Sequence, residues 1–128
     1  MNGETSPPVL GDAAIAPPTL EAPRLAMLIQ ALGRDRVATM LAMLRDEADP
    51  LCAAARGETP FPTRFADVEH VHALKGAAAS LGAGVLSAAL AMLEHALRRG
   101  DVDATLSARV PLLAAAMATH AEIIADRW

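Results

Sequence analysis

Between its glycine and proline breaks, the chain repeats apolar residues at helical spacing in four long runs, and this pattern constrains the fold more than any single motif. Residues three and four apart share a helix face, so Val37, Met40, Leu41, Leu44, Ala48, Leu51 and Ala55 form one stripe. Phe65, Val68, Val71, Leu74, Ala78 and Leu81 form a second, and Leu86, Leu90, Leu93 and Leu97 a third. Leu106, Val110, Leu113, Met117, Ala121 and Ile124 supply the fourth seam. A shorter run, residues 23–32, carries Leu25, Leu28, Ile29 and Leu32. Pro23 suits a first helical position, while Gly33, Gly82, Gly84 and Gly100 suit helix exits and tight turns. Asp35, Thr63, and either Asp101 or Asp103 are placed to cap the first, second and fourth long helices. Pro50 and Pro111 fall inside two of the runs; Pro50 predicts a bend, and Pro111 either a bend or a fresh helix start after Ser107. Amphipathic helices with short connections imply an all-α fold: an antiparallel four-helix bundle, with the short N-terminal helix covering one end.

The burial material agrees with that reading. Apolar residues make up 53% of the 128, yet aromatics are only 2% and tyrosine is absent, so alanine, leucine and methionine must fill the core. These are strong helix formers, and few residues of the chain favour strands. Residues 1–18 hold Pro7, Pro8, Pro17 and Pro18 with Gly3 and Gly11 and read as a flexible leader; residues 19–128 read as the bundle domain. The net charge of −4, without a basic block, argues against nucleic-acid binding. A lone Cys52 leaves no internal disulfide and no cysteine-rich zinc site, and it fits a reducing cytoplasm. No apolar run reaches the roughly 18 residues of a membrane helix, and the N-terminus lacks a signal-peptide pattern. A cytoplasmic monomer with no membrane partner is expected.

Within residues 71–82, His72 interrupts a run of small and apolar side chains, with Lys75 three and Gly76 four residues on. All three therefore share one face of a helix. Glycine inside a helix costs roughly 1 kcal/mol against alanine, and this chain uses alanine freely elsewhere. A glycine one turn from a histidine points to something that must approach the ring closely. At about 100° per residue, Val71, Leu74 and Ala78 mark the centre of the apolar side. His72 falls at its edge, half exposed, beside Val68, Lys75, Gly76 and Ala79.

The pattern His72-x-Leu74-Lys75-Gly76-Ala77-Ala78, then Leu81-Gly82-Ala83, Leu86 and Leu93-Glu94, resembles the histidine-containing phosphotransfer (HPt) domain family. The resemblance extends to the helical layout over residues 20–125. It implies a four-helix bundle that relays phosphoryl groups in two-component signalling. His72 would then be the phosphoacceptor, exchanging phosphate with an aspartate on a receiver domain of a response regulator or a hybrid sensor kinase. Pro50 and Pro111 depart from what the family's bundle helices would carry.

The chemistry of the residues fits that role. Phosphoryl transfer needs positioning and charge stabilisation, and a neutral imidazole nitrogen is a good nucleophile. Lys75 offers a cation to phosphoryl oxygens, and Gly76 clears room for the incoming protein. Val68, Glu69, Gly76 and Ala79 are the expected partner contacts. A ring used through one nitrogen is usually held at the other. Glu94, flanking the third seam, is expected to accept from Nδ1 of His72 and leave Nε2 as the nucleophile; the family resemblance also implies a glutamine or glutamate here. The alternative for Glu94 is a solvated surface side chain.

Glu69-x-x-His72 has the spacing of di-iron bundles, which need a second such pair, and the sequence has none. His70 is expected at the surface, His95 turned away from the site, His120 packed at the edge of the last seam, and Met43 exposed. No metal site follows. There is no Gly-rich nucleotide loop, so the chain reads as a phosphoryl carrier without an ATP site of its own, and Mg²⁺ is expected from the receiver partner. Three rivals remain open: a non-relaying module of the same fold that docks receiver or kinase partners, a structural bundle, and a metal-dependent enzyme. A large exposed apolar patch away from His72 would favour the structural bundle.

Overall fold

The structure, a computed structural model, describes residues 19–126 and Trp128; the expected leader, residues 1–18, lies outside the described residues. Among the described residues five α-helices follow one another: α1 (Ala22–Leu32), α2 (Arg34–Ala55), α3 (Val68–Ser80), α4 (Gly84–Arg99) and α5 (Val102–Ile124), with one 3-10 turn, Thr63–Ala66, before α3. Among the described residues there is no strand, only an isolated bridge between Leu20 and Ala83. No helix of the described residues is long and apolar enough to cross a membrane.

Two of the expected caps are placed differently. Gly33 ends α1 and begins α2 in a single residue at φ 90°, so α2 starts before Asp35, which sits in its first turn without capping it. An acidic side chain there still suits the helix dipole. Thr63 opens the 3-10 turn rather than α3. That turn tucks Phe65 into the core at 1% exposure, and Asp67 then caps α3 by accepting from the Glu69 amide at 3.0 Å. Asp101 caps α5, accepting from the Ala104 amide. Both α2 and α5 continue through their prolines. The carbonyls that lose a donor are those of Asp46 and Ser107, both exposed residues, where water can replace the bond.

The helices pack into a bundle around one apolar core that includes Leu41, Leu51, Phe65, Val71, Leu86, Leu90, Leu93 and Leu112. Helix α3 packs on α4, α4 on α5 and α5 on α2, while α1 lies on α2. Helices α2 and α3 approach less closely and leave an apolar groove of about 350 Å³ lined by Met40, Met43, Leu44, Ala73, Ala77 and Leu81. The start of the described chain is tied down by Glu122, whose carboxylate accepts from the Thr19 and Leu20 amides. The Glu21 amide donates to Gly82 O at 2.8 Å, bracing the α3–α4 turn.

The seam expected on α5 is corrected. Its buried side is Ala108, Leu112, Ala115, Ala116, Thr119 and Ile123. Leu106, Val110, Met117 and Ile124 face outward at 50, 70, 41 and 62% exposure, Ala121 is exposed and Leu113 is half-buried. Helix α5 is apolar nearly all round, so periodicity alone does not choose a face. The small residues on its inner side let α5 approach its neighbours closely. In α1 and α2, Leu32 and Ala55 are also exposed rather than packed.

Candidate functional site

Helix α4 returns antiparallel beside α3 after a tight turn at Gly82, where φ is 77°. Ser87 Oγ donates to Lys75 O at 3.2 Å and ties the two helices together next to the candidate residues. The neighbouring turns of α3 and α4 meet at Glu94, which is buried at 6% exposure. The solvated-surface alternative for this residue therefore does not hold.

Three cationic or ring donors converge on the Glu94 carboxylate. His72 Nδ1 lies 2.8 Å from Oε2, and Lys75 Nζ lies 2.7 Å from Oε1. Arg98 Nε and Nη2 reach Oε2 at 2.9 and 2.8 Å. The Lys75 hydrogen bond is the largest influence holding the Glu94 carboxyl down, from its ordinary 4.5 to about 2; burial pushes the other way, and Arg98 and His72 add to the lowering. The carboxylate is therefore ionised and only accepts, so His72 Nδ1 must be the donor. With the proton held on Nδ1, the remaining lone pair of a neutral ring is on Nε2, and the His72 side chain is 56% exposed.

The structure thus brings His72, Lys75 and Glu94 into one cluster. Val68 is half-buried, whereas Glu69, Gly76 and Ala79 are exposed on α3. Among the described residues a Cβ built at Gly76 meets no atom within 4 Å, so their packing gives no reason for a glycine there. In the sequence Arg98 reads only as a basic residue suited to the C-terminal dipole of its helix. Its signal was present, since Glu94 and Arg98 stand four apart on one helix face. Lys75 also differs from its expected part: its ammonium is engaged by Glu94 and must share that bond to reach a phosphoryl oxygen.

The other histidines lie apart. His70 is half-buried rather than at the surface, because α2 faces it: Nε2 donates to Glu47 at 3.0 Å, and the ring stands edge-on to Phe65. His120 is half-buried and pairs with Asp49, and His95 is exposed. Among the described residues, no group of three or more His, Cys, Asp or Glu is placed to hold a metal ion. No family model, curated protein or solved structure matches the chain, so its own residues must carry the functional reading.

Proposed function

We propose that this chain is a histidine phosphotransfer protein of a two-component phosphorelay, an antiparallel four-helix bundle with α1 across one end. The observation that carries the reading is the exposed His72 ring, anchored through Nδ1 to the buried Glu94 carboxylate at 2.8 Å. The tautomer leaves the Nε2 lone pair as nucleophile. A receiver domain carrying an aspartyl phosphate docks over Val68, Glu69, Gly76 and Ala79. The Nε2–P bond forms in line as the P–O bond to the aspartyl carboxylate breaks, and the carboxylate leaves with its electron pair. The positive charge that develops on the ring is offset by Glu94, as a carboxylate behind an imidazole does in acyl-transfer triads. Lys75 stands one turn away and supplies a cation to the phosphoryl oxygens. The reverse step passes the group to the aspartate of a second receiver. Mg²⁺ belongs to the receiver, ATP chemistry to a kinase, and the setting is cytoplasmic.

A second reading is a non-relaying module of the same fold that docks receiver or kinase partners; the exposed apolar face of α5, away from the His72 cluster, speaks instead for a bundle that buries that face against a partner. The relay and the non-relaying module are separated by incubating the chain with ³²P-labelled phosphorylated receiver domains. Acid-labile label on the wild type, absent from His72→Gln, supports the relay. A wild type that binds receivers yet never takes label leaves the binding module.

A further inference from the structure

The outward side of α5 carries two interleaved seven-residue repeats. Val110, Met117 and Ile124 form one, and Ser107, Ala114 and Ala121, each three residues earlier, form the other. All six are exposed. A seven-residue repeat of this kind gives a straight seam along which two helices can pair. The inner side of the same helix is already filled, so this seam has no role in the chain's own core.

The face is also neutral. Between Asp103 and Asp126 no exposed residue of α5 is charged. The charged side chains within that span are turned aside: Arg109 lies over the Phe61 ring at 4.3 Å, and Glu122 accepts from Thr19 and Leu20. An anionic lipid surface would need flanking lysines or arginines, and a charged peptide would need opposite charges. A second copy of this seam needs neither. We propose that the chain forms a two-fold dimer through antiparallel pairing of α5 with α5 of a second copy.

The register follows from size. In an antiparallel pair, Ser107 faces Ile124 of the second copy, Val110 faces Ala121, and Ala114 faces Met117, so every large side chain meets a small one. The same patch serves both copies, as a closed two-fold interface requires. The helix has 23 residues and is about 34 Å long. A standard interface takes about 800 Å² per partner, roughly a tenth of a small protein's surface. The chain exposes 7379 Å², so the outer side of α5 with its flanks must supply about a tenth of it. This departs from the monomer expected from sequence and does not depend on the relay reading. Because α5 packs chiefly on α2 and α4, both His72 rims stay open in the pair.

Light scattering on the eluting full-length chain tests this. The wild type should show twice the 13.3 kDa chain mass, and Val110→Lys/Met117→Lys a single chain mass with unchanged helical circular dichroism. Met43→Lys, in the α2–α3 groove, should keep the doubled mass. Should the double lysine variant misfold, cysteine pairs decide instead, since Cys52 is buried and does not compete. Val110→Cys/Ala121→Cys should yield a covalent dimer on oxidation. Val110→Cys alone should not, because antiparallel pairing holds its two copies about 16 Å apart along the axis, beyond disulfide reach. Three results would overturn the proposal. One is a wild type at single mass at every concentration, whether the leader, a lipid vesicle or another protein takes the face. The others are a doubled mass that survives in the folded lysine variant, and cross-linking by Val110→Cys alone.

Discussion

Around His72 three polar side chains, His72, Lys75 and Arg98, are tied to one carboxylate, whereas along the outer side of α5, from Leu106 to Ile124, the exposed side chains are, Ser107 apart, apolar. Both surfaces face water. The first is built by electrostatic convergence: one buried acid collects three donors and fixes a ring. The second is what remains when a helix apolar on every side gives only one side to the core. Exposure alone therefore does not mark a site of chemistry here. A rim with fixed hydrogen-bond geometry suits transfer of a charged group, and a neutral ridge suits association.

The sharpest way to break this comparison is to show that the two sides of α5 are energetically alike. Leu112 is fully buried and Leu106 is half exposed. Leu112→Ala should cost about 2–5 kcal/mol in urea unfolding, from lost burial plus the cavity left behind. Leu106→Ala should stay within about 0.5 kcal/mol when measured on dilute, single chains. Equal losses would return the outer stripe to the core and remove the ridge.

Two glycines sharpen the other half. Gly82, in the turn that brings α4 back beside α3, has φ 77°, and a Cβ there would lie 3.1 Å from Arg24 Cβ and Cγ. Gly82→Ala should cost about 1–2 kcal/mol from the left-handed backbone alone. Gly76 sits in ordinary helix with open space where its Cβ would be. Gly76→Ala should stabilise the fold by up to about 1 kcal/mol while slowing phosphoryl acceptance from a receiver. If Gly76→Ala gains stability and transfers phosphate at the wild-type rate, the glycine is not clearing space for a partner.

The two surfaces also differ in how far the sequence discloses them. On α3, His72 and Lys75 break an otherwise apolar run, so both the helix face and the cluster were readable, and Glu94 followed from its place beside a leucine seam. On α5, leucine, valine, methionine and alanine occupy every side. The large residues trace a seam that looks like a core, and half of the real core contacts are alanines, Ala108, Ala115 and Ala116, which carry little weight in such a pattern. Arg98 reads from sequence no further than the helix dipole, because an arginine near a helix C-terminus already has a sufficient explanation there. The Asp67 cap was hidden by the 3-10 turn, which a helical period through Phe65 does not distinguish from a longer α3.

The smallest effect expected is also the one that isolates the charge at the rim. Glu94→Gln keeps an oxygen that can accept from His72 Nδ1 and removes the charge that Lys75 and Arg98 share. The Glu94 carboxyl is held at about 2 in the folded chain against an ordinary 4.5, so the folded state binds this proton more weakly than the unfolded chain does. Its contribution to stability is therefore present above pH 4.5 and is lost as pH falls through about 2. Lys75, His72 and Arg98 are all partly open to solvent, which screens the cluster and keeps the effect modest. Urea unfolding of wild type and Glu94→Gln at a series of pH values should show a wild-type advantage above pH 4.5 that narrows across this window. Leu112→Ala should show no such narrowing, because its deficit is one of packing. Parallel wild-type and Glu94→Gln curves down to pH 2 would mean that the carboxylate is not the charge that organises the rim, and that His72 is held by geometry alone.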